Sequence, residues 1–577
     1  MRSLKWKTAA ALIFALAGRA AASPTLTIRP EKFRPSEGAP VDAEFGELSV
    51  PANHSRPDGP RITLAFVRFP ATGRHPGAPI VYLAGGPGVS GIEAARGPRF
   101  PMFQALRELG DVVALDQRGT GKSRPKLSCS ESYQIPFDRP LDRVSGAAAL
   151  AAGIRPCRES LEGEGVNLND YNTPESAADL DDLRVALGAA KIRLLAISYG
   201  THLALAMLRD HAASIDRVAL AGIEPLDHTE KLPSDLQALL VEVARRVRED
   251  AAVRAALPDL EDAVRRIDDR LEHEPVRVAL TDPRNARSAE VVLGKLDFQF
   301  ALSEMIADER GIAAVPDFVA RVARGDWTAL ALAAAPWRIG HVPSLMSIAM
   351  DCASGADDAW RARIREEAPR TLLGDAINLP FPEVCPAVGV RDLGPAYRLP
   401  VKSDVPALLI AGTLDGRTPV SNAREVMKNL PNARLLVIDG AAHSDPLFLS
   451  NPAIVESIRG FFAGEEQPRE RTIPAEPLRF VAPRHVADVA PERLSRYVGE
   501  YKIEGGGVRR VVRAGPLLFT IRDSGSPLAI RPASETEFFY EGQSAHLRFE
   551  IGDGGKVTGM VMFQNDRAAA EKAKKVK

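Results

Sequence analysis

Three short motifs of the sequence carry a serine, an aspartate and a histidine that could act together. They are Ala196-Ile-Ser-Tyr-Gly200, Gly412-Thr-Leu-Asp415 and Gly440-Ala-Ala-His443. A serine hydroxyl is a weak nucleophile at neutral pH and needs a neighbouring base to take its proton. We predict that Ser198 is the nucleophile, that His443 is the base, and that Asp415 orients the imidazole and stabilises its charged form. Each motif alone is weak evidence, but the order serine, acid, histidine is one that such triads use.

Ser198 lies where an apolar run changes into a helical pattern. Residues 192–197 predict a buried strand, and the apolar stretch 203–208 predicts a helix directly after the serine. In such a strand-to-helix turn the residues two positions before and after the serine must be small, and Ala196 and Gly200 meet that need. Gly is usual at the first of these positions, so Ala196 is a departure. A serine between small residues also occurs in coils, but the flanking strand and helix favour the turn.

Acyl transfer at a serine also needs fixed N–H donors for the developing oxyanion. One donor is expected from the residue after the nucleophile, which is Tyr199, and the other from the loop after an early strand. Gly85-Gly-Pro-Gly88 follows a short apolar run and predicts that loop. Since Pro87 has no N–H, we predict Gly86 as the second donor, with Gly88 as the alternative.

The composition argues against nucleic acid as a partner. The 577 residues include 74 Lys and Arg against 75 Asp and Glu, so the net charge of −1 provides no long-range field for a polyanion. We expect no cofactor and no metal. Gly119-Thr-Gly-Lys-Ser123 looks like the end of a phosphate-binding loop, but Asp116 stands where that loop needs glycine. His202 and His228 have no ligand-like neighbours and are predicted to pack or to face solvent.

The N-terminus has the layout of a cleavable secretory signal over residues 1–22. A basic start is followed by an apolar run at 8–17 and by small residues at 20–22. The alternative is a membrane anchor, but a run of about ten apolar residues is short of the ~20 that span a bilayer. We therefore expect a periplasmic or secreted protein without stable membrane insertion after cleavage.

Export gives meaning to the four cysteines, Cys129, Cys157, Cys352 and Cys385. Paired thiols persist in oxidising compartments, and four cysteines allow three pairings. Short loops favour Cys129–Cys157 and Cys352–Cys385. A zinc site is the alternative, but the sequence lacks ligand spacing for it.

Apolar runs in the sequence predict the strands that position these residues. Such runs predict strands of a mostly parallel sheet buried on both faces, with helical patterns between them; they lie at 61–69, 78–83, 111–115, 192–197, 217–221, 406–411 and 434–438. One helix begins with Thr173 as its N-cap and Pro174 at the first position, and Gly188 ends it. Residues 225–403 have helical periodicity and predict a helical lid inserted between two parts of the core, 23–224 and 404–465.

The pattern changes after residue 465. A Pro-rich and charged segment, 466–486, predicts a linker, and residues 487–577 predict a separate small all-β domain. Six short alternating segments fit an antiparallel sheet or a small barrel; they lie at 497–501, 508–512, 517–521, 537–540, 546–551 and 557–563.

Together with Asp116-Gln-Arg-Gly-Thr-Gly-Lys-Ser123 and Asp415-Gly-Arg-Thr-Pro419, these motifs resemble secreted α/β-hydrolases of the proline iminopeptidase and tripeptidyl aminopeptidase type. The resemblance covers about residues 40–465, and its cysteine positions agree with the two short-range pairs. It implies an α/β-hydrolase fold with helices on both sheet faces, and an exopeptidase that releases one or a few residues from a free N-terminus. Ala84 departs from the family, which often has histidine there.

The expected substrate is therefore a peptide or a small acyl compound. An aminopeptidase must also hold the substrate ammonium group, for which Glu224 and Asp227 are candidates, although a solvated loop explains them equally well. An esterase for small acyl esters would use the same machinery. A non-catalytic protein that presents the β domain to a partner is a third possibility, and the complete triad argues against it. Epoxide hydrolysis is disfavoured because it resembles chemistry with Asp at the position of Ser198.

Overall fold

The computed structural model describes residues 24–564 and 571–576. The predicted signal sequence, residues 1–22, lies outside the described residues. Within the described ranges, no helix combines the length and the apolar character needed to cross a bilayer.

In the described part of the chain, the strands form one large sheet, two sheets of two strands each and one barrel. In chain order they are β1 (Thr25–Phe33), β2 (Val41–Pro51), β3 (Arg61–Phe69), β4 (Ile80–Leu83), β5 (Val112–Asp116), β6 (Ser132–Gln134), β7 (Ile192–Ser198), β8 (Ile215–Ile223), β9 (Val276–Thr281), β10 (Ser288–Leu293), β11 (Ile339–His341), β12 (Ala407–Leu414), β13 (Ala433–Ala442), β14 (Glu470–Pro474), β15 (Gly499–Ile503), β16 (Val508–Ala514), β17 (Leu517–Arg522), β18 (Leu528–Pro532), β19 (Glu537–Tyr540), β20 (His546–Ile551), β21 (Val557–Phe563) and β22 (Glu571–Lys575).

The helices lie between these strands. In chain order they are α1 (Gly91–Arg96), α2 (Phe100–Leu106), α3 (Arg143–Gly163), α4 (Thr173–Ala186), α5 (Tyr199–Asp210), α6 (Pro233–Glu249), α7 (Ala251–Ala256), α8 (Leu260–His273), α9 (Lys295–Met305), α10 (Glu309–Ala323), α11 (Trp327–Arg338), α12 (Leu345–Ser354), α13 (Asp358–Glu367), α14 (Cys385–Val388), α15 (Val420–Met427), α16 (Pro446–Leu449), α17 (Pro452–Ala463) and α18 (Pro491–Leu494).

The large sheet is a ten-stranded α/β-hydrolase sheet with the order β1-β2-β3-β5-β4-β7-β8-β12-β13-β14. The first three strands and β5 pair antiparallel, and the strands from β5 to β14 in this order pair parallel. Successive residues of one strand point to opposite faces. In β7, accordingly, Leu194 joins the core on one face and Leu195 the core on the other. The predicted fold class is therefore confirmed, and the predicted strands 61–69 to 434–438 all occur.

Three parts of the sequence prediction at the sheet and its helices were incomplete or wrong. The segment 24–60 contains strands β1 and β2, which the turn-forming composition concealed. The predicted linker contains β14, which pairs with β13 at the edge of the sheet. The N-cap of α4 is Asn172, whose side chain accepts a hydrogen bond from the Glu175 N–H, while Thr173 is the first residue of the helix.

The chain between β8 and β12 is a largely helical insertion, called the lid below. It contains helices α6 to α14, as the periodicity predicts, and also the hairpin β9–β10 and the short strand β11, which pairs with β6 outside the insertion. The lid has its own apolar core, in which Leu240, Val264 and Phe298 are fully or almost fully buried.

The C-terminal domain is a closed barrel of the eight strands β15 to β22. Strand β15 pairs with β16 on one side and with β22 on the other, and these pairings close the barrel. The six predicted strands occur, and β18 and β22 are additional. Tyr497, Tyr501, Phe538 and Phe549 pack inside it and fill the interior.

Of the two disulfides, one links two segments of the core and the other links two segments of the lid. Cys129 pairs with Cys157, and Cys352 pairs with Cys385. These are the two short-range pairs that the sequence favours among the three possible pairings. The second disulfide joins α12 to α14, so it fixes two lid segments that lie near the carboxyl ends of the central strands.

Candidate active site

Ser198 stands at the end of β7 in a left-handed backbone conformation, with φ 56° and ψ −130°. A positive φ at a residue with a side chain is rare and stores strain, which is a known feature of functional turns. The crowding around this turn explains its small residues. A Cβ atom at Gly200 would lie 2.2 Å from the carbonyl oxygen of Leu83, so this position tolerates only glycine. Ala196 is fully buried, and its methyl group is accommodated.

Asp415 and His443 lie just after β12 and β13, and they are hydrogen-bonded to each other. The distance between His443 Nδ1 and Asp415 Oδ2 is 2.8 Å. Asp415 Oδ1 accepts hydrogen bonds from the N–H groups of Arg417 at 2.9 Å and Thr418 at 2.8 Å. The carboxyl ends of parallel strands meet at one edge of a sheet, and this brings the loop of Ser198 to the same edge.

The environment of Asp415 keeps its carboxyl ionised. Burial alone would raise the pKa of Asp415, but the neighbouring His443 and the hydrogen bonds from Thr418 hold it below the ordinary value. Thr418 also donates its hydroxyl to Asp415 Oδ2 at 2.7 Å and lies 3.2 Å from His443 Nδ1. An ionised carboxylate on Nδ1 leaves Nε2 of His443 as the nitrogen that can take a proton from a nucleophile.

Ser198 and His443 both line one cavity of about 530 Å³ between the sheet and the lid. This volume is within the usual range of small-ligand sites. Gly85 and Gly86 line the same cavity. A Cβ atom at Gly85 would lie 2.8 Å from the Cβ atom of Ser198, so the glycine allows the two loops to approach closely.

The predicted oxyanion donors have different surroundings. Gly86 lines the cavity, whereas a Cβ atom at the alternative, Gly88, would point to Ser347 at 3.5 Å. Tyr199 is the first residue of α5, so its N–H belongs to the unpaired donors of a helix N-terminus. Its ring is buried, and its hydroxyl lies 3.0 Å from Thr173 Oγ1.

The segment Asp116 to Ser123 supports the loop of Gly85 and Gly86. Asp116 is buried and accepts hydrogen bonds from the N–H groups of Ile92 at 3.1 Å and Lys122 at 2.7 Å. Gln117 donates its side-chain amide to the carbonyl of Ala84 at 2.9 Å. The hydrogen bond from Gln117 fixes Ala84, the residue directly before Gly85, and this role of Gln117 was not predicted from the sequence.

The two candidates for binding a substrate amine point to different places. Glu224 lines the active-site cavity, whereas Asp227 lines a separate small pocket with Leu226 and Arg398, so the structure does not bring the two candidates together. Glu224 Oε2 accepts a hydrogen bond from Lys231 Nζ at 2.7 Å. Glu224 and Asp227 are only three positions apart on one loop, and the turn between them separates their side chains.

Three further carboxyl groups, those of Glu230, Glu304 and Asp351, line the cavity and were not singled out in the sequence. Glu304 is paired with Arg417 at 2.7 Å. Glu230 accepts a hydrogen bond from Arg361 at 2.8 Å, so this acid is paired with a lid cation. The side chain of Asp351, on α12, makes no hydrogen bond with the described residues. Burial first, and the neighbouring Glu224 second, raise the pKa of Asp351 well above its ordinary value. No local motif marks Asp351, because its position depends on how α12 packs.

An apolar wall forms another side of the cavity. It includes Phe300 on α9 and Trp337 on α11, whose rings meet edge to face with centroids 5.2 Å apart. Val89 and Phe381 line the cavity as well. The cavity therefore has a polar part with charged pairs and an apolar part with exposed aromatic surface.

His202 and His228, the two histidines considered as possible ligands in the sequence, are buried and pack against other groups. His202 lies 2.7 Å from the Tyr397 hydroxyl, and burial lowers the pKa of His202 to about 4. His228 stacks on Trp360 with ring centroids 3.7 Å apart, and burial lowers its pKa to about 3. Both are therefore uncharged at neutral pH.

Comparison with known proteins places this site in a family. Serine protease Hip1 of Mycobacterium tuberculosis is 34% identical over 194 residues, which is 33% of this chain and 37% of that protein. Tripeptidyl aminopeptidase of Streptomyces lividans is 26% identical over 464 residues, 73% of this chain and 81% of that protein. Carboxylesterase B of M. tuberculosis is 31% identical over 152 residues, 25% of this chain and 29% of that protein.

The chain thus spans only about a third of the length of Hip1 in that match. A family model described as alpha/beta hydrolase fold matches residues 78–448, which extend from β4 to α16 and include all three triad positions. This is more than half of the chain. The protein therefore belongs to the alpha/beta hydrolase fold family.

Proposed function

We propose that this protein is a serine exopeptidase that removes one or a few residues from the free N-terminus of peptides. The observation that carries the proposal is the strained Ser198 turn, which opens on the same cavity as a histidine already bonded to an ionised carboxylate. The relatives named serine protease and tripeptidyl aminopeptidase support peptides as the substrate class.

The reaction follows from the positions of these groups. Ser198 Oγ attacks the scissile carbonyl carbon while His443 Nε2 takes the hydroxyl proton, and Asp415 stabilises the resulting imidazolium. The N–H groups of Gly86 and Tyr199 stabilise the oxyanion of the tetrahedral intermediate. The C–N bond then breaks, His443 gives its proton to the leaving amine, and an acyl-enzyme ester remains on Ser198. Water activated by His443 hydrolyses this ester and restores the serine.

The polar part of the cavity suggests how a free amine is recognised. Glu224 and Glu230 each hold a cation of the protein, Lys231 and Arg361, so these four side chains are balanced in charge. Among the described carboxyl groups that line the cavity, Asp351 is the one whose side chain makes no hydrogen bond or ion pair, and it lies near Glu224. A substrate ammonium group placed between Asp351 and Glu224 would allow Asp351 to ionise and to form a charge-assisted hydrogen bond.

The proposal includes action outside the cytoplasm. The two disulfides support it, because such bonds persist in oxidising compartments and are rare in reducing ones. The sequence pattern of a secretory signal at residues 1–22 agrees with this location.

An esterase is the second candidate, because one relative is named carboxylesterase and the cavity has an apolar aromatic wall. Ester and amide hydrolysis use the same triad and oxyanion donors. The two candidates therefore differ in the groups that select the substrate, and the substrate must decide between them.

Hydrolysis of matched chromogenic peptide amides with free and blocked N-termini, together with a short acyl ester, tests the proposal. The mature protein should hydrolyse the free-amine peptides and leave the blocked peptides intact. Ser198→Ala should lose most of this rate, by a factor of up to ~10⁶ in the best-studied triad. Turnover of the ester alone would assign an esterase. If folded protein hydrolysed none of them and a fluorophosphonate probe left Ser198 unlabelled, the enzymatic proposal would be wrong.

A further inference from the structure

The C-terminal barrel packs against the lid helices α10 and α11, and α11 also lines the active-site cavity through Trp337. The segment leading to the barrel begins this contact, because the N–H of Val481 donates a hydrogen bond to the carbonyl of Ala313 on α10 at 2.8 Å. Farther along, a Cβ atom at Gly542 of the barrel would lie 3.7 Å from the side chain of Ala314. The barrel and α10 are therefore in direct contact.

A group of charged residues at this contact, called the interface charge cluster, is largely buried. It contains three acids and three arginines, drawn from the lid, the connecting segment and the barrel; the members are Asp317, Arg321, Asp326, Arg484, Arg531 and Glu541. The equal numbers balance the charge, and unpaired charges would be costly at this depth. Arg321 of α10 pairs with Glu541, and Arg531 pairs with both Glu541 at 3.0 Å and Asp326 at 3.2 Å.

The cluster holds the first turn of α11 in particular. Asp326 is the residue directly before α11, and both of its carboxylate oxygens accept hydrogen bonds from Arg531 Nη2, at 3.2 and 3.3 Å. Arg531 belongs to β18 and is only 8% exposed, so this contact is shielded from water. The barrel therefore supplies one cation at the start of this lid helix, beside Arg321 of the lid, whose Nη1 lies 3.5 Å from Asp326 Oδ2.

The same helix also has an apolar contact with the barrel. Leu332, in the middle of α11, packs against a small cluster formed by Ala514, Leu517 and Phe519 of strands β16 and β17. Five residues after Leu332, Trp337 lines the active-site cavity and contacts Phe300. At 1.5 Å per residue, α11 covers about 15 Å between Asp326 and the cavity.

The far end of α11 is held inside the lid. Arg338 is buried and donates from Nε to Asp297 of α9 at 2.9 Å. Trp337 thus stands on a helix with one anchor in the lid and a second anchor in the barrel. A change at the barrel anchor would tilt or loosen the helix about its lid anchor rather than release it.

We propose that the barrel is a brace for the substrate-selecting wall of the cavity, in which Arg531 acts through α11 as a positioning residue for Trp337. This inference rests on the proposed function for its catalytic readout, because the wall matters only if the cavity binds substrate. It gives the barrel an internal role in the same molecule. Residues that touch neither substrate nor triad would then influence substrate affinity.

The test compares Arg531→Ala with a matched variant, Arg548→Ala. Arg548 is an exposed barrel arginine that contacts the ring of Phe563 and makes no ion pair with the described residues of the lid. We expect Arg531→Ala to raise KM for a free-amine peptide amide by about 3- to 10-fold and to leave kcat nearly unchanged. Hydrolysis of a small ester and the rate of fluorophosphonate labelling at Ser198 should not change, and Arg548→Ala should behave as the wild type.

A second readout follows the helix itself. Amide hydrogen exchange in residues 327–338 should become faster in Arg531→Ala, because Asp326 at the start of α11 loses both hydrogen bonds from Arg531 and keeps the longer contact with Arg321. Asp326→Asn removes the same ion pair from the lid side and should reproduce both effects, whereas Arg531→Lys should restore much of the KM. Asp326→Asn also covers the case in which Arg531→Ala does not fold.

The outcomes separate this inference from the proposed function. An unchanged KM in both Arg531→Ala and Asp326→Asn, despite faster exchange in α11, would overturn the brace. An equal fall in kcat for ester and peptide would also overturn it, because that pattern indicates general damage. If the wild-type protein hydrolyses no peptide, the proposed function fails, while unchanged exchange in α11 would still reject the brace on its own.

Discussion

The active-site cavity has two halves of different origin, one carried by the sheet and the other by the lid. On the sheet side, Ser198, Asp415 and His443 follow the carboxyl ends of buried parallel strands, and backbone N–H groups bind the Asp415 carboxylate. On the lid side, Phe300, Trp337 and Asp351 stand on three different helices. Helix α11 has contacts with both the lid and the barrel.

The sheet half carries out the reaction, and the lid half selects the substrate. Strands that are hydrogen-bonded on both sides hold their loops rigidly, which suits groups that must stay in fixed geometry during a reaction. Side chains on packed helices can shift by small amounts when their partners change, which suits groups that distinguish substrates. We therefore expect changes in the sheet half to affect all substrates, and changes in the lid half to affect only some.

The largest effect on activity is expected in the sheet half, for Asp415→Asn. The amide cannot stabilise the imidazolium and favours the wrong tautomer of His443, so kcat should fall by ~10⁴. The ester and the free-amine peptide should lose activity by the same factor, measured as kcat/KM for each. A selective loss of the peptide activity alone would contradict the assignment of Asp415 to the sheet half.

A smaller effect in the same half is expected for Thr418→Val. This change removes the 2.7 Å hydrogen bond from the threonine hydroxyl to Asp415 and keeps the side-chain shape. A hydrogen bond to a charged group contributes about 1.5–3 kcal/mol, so kcat should fall by about 10- to 100-fold for both substrates. Thr281→Val is the matched control, because the Thr281 hydroxyl lies 2.9 Å from Ser288 Oγ in the lid hairpin β9–β10, outside the site, and should not alter kcat. An unchanged kcat in Thr418→Val would show that Thr418 does not contribute to catalysis.

The lid half is tested by Asp351→Asn. The amide cannot gain a negative charge when an ammonium group arrives, so KM for the free-amine peptide should rise by about tenfold, as for the loss of one charge-assisted hydrogen bond. The ester should be hydrolysed as before. Asp358→Asn, at an exposed lid position, is the control and should have no effect. An equal loss for the ester would show that Asp351 supports the triad instead.

The smallest effect concerns stability and should leave activity unchanged. Burial lowers the pKa of His54, but the carboxylates of Asp182 and Glu175 raise it by more than burial lowers it. The pKa of His54 is therefore raised from 6.5 to about 9. Because the folded pKa is the higher one, the protonated histidine stabilises the fold fully below pH 6.5, and this contribution disappears as the pH rises through about 9.

His54→Gln should therefore lower the free energy of unfolding by about 1 kcal/mol at pH 6 and by almost nothing at pH 10, since the histidine is partly exposed. Thermal unfolding at the two pH values measures this difference. His75→Gln, at an exposed position, should show no such pH dependence. A larger destabilisation at pH 10 than at pH 6 would contradict the sign of the linkage.

The sequence predicts the sheet half well because its signals are local. The parallel strands are continuous apolar runs, and the triad residues lie inside short motifs directly after them. Strands β1 and β14 escaped prediction because they lie at exposed sheet edges. In β14 only Ile473 is buried, so the chain there has no apolar run to recognise.

The lid half could not be predicted because it depends on contacts distant in the sequence. Asp351 and Trp337 enter the cavity through the packing of whole helices, and no short pattern marks them. The cap of α4 shows the same limit on a small scale. Asn172 and Thr173 are both good capping residues, and the structure uses Asn172 because the Thr173 hydroxyl lies against the Tyr199 hydroxyl.

The most direct test of this division is to measure kcat/KM for a small ester and for a free-amine peptide amide, side by side, in wild type, His443→Ala and Trp337→Ala. We expect His443→Ala to reduce both values in parallel by several powers of ten. We expect Trp337→Ala to reduce only the value for the peptide, with equal fluorophosphonate labelling of Ser198. If Trp337→Ala changed ester and peptide hydrolysis equally, or if His443→Ala spared either one, the separation of chemistry on the sheet from selection on the lid would be wrong.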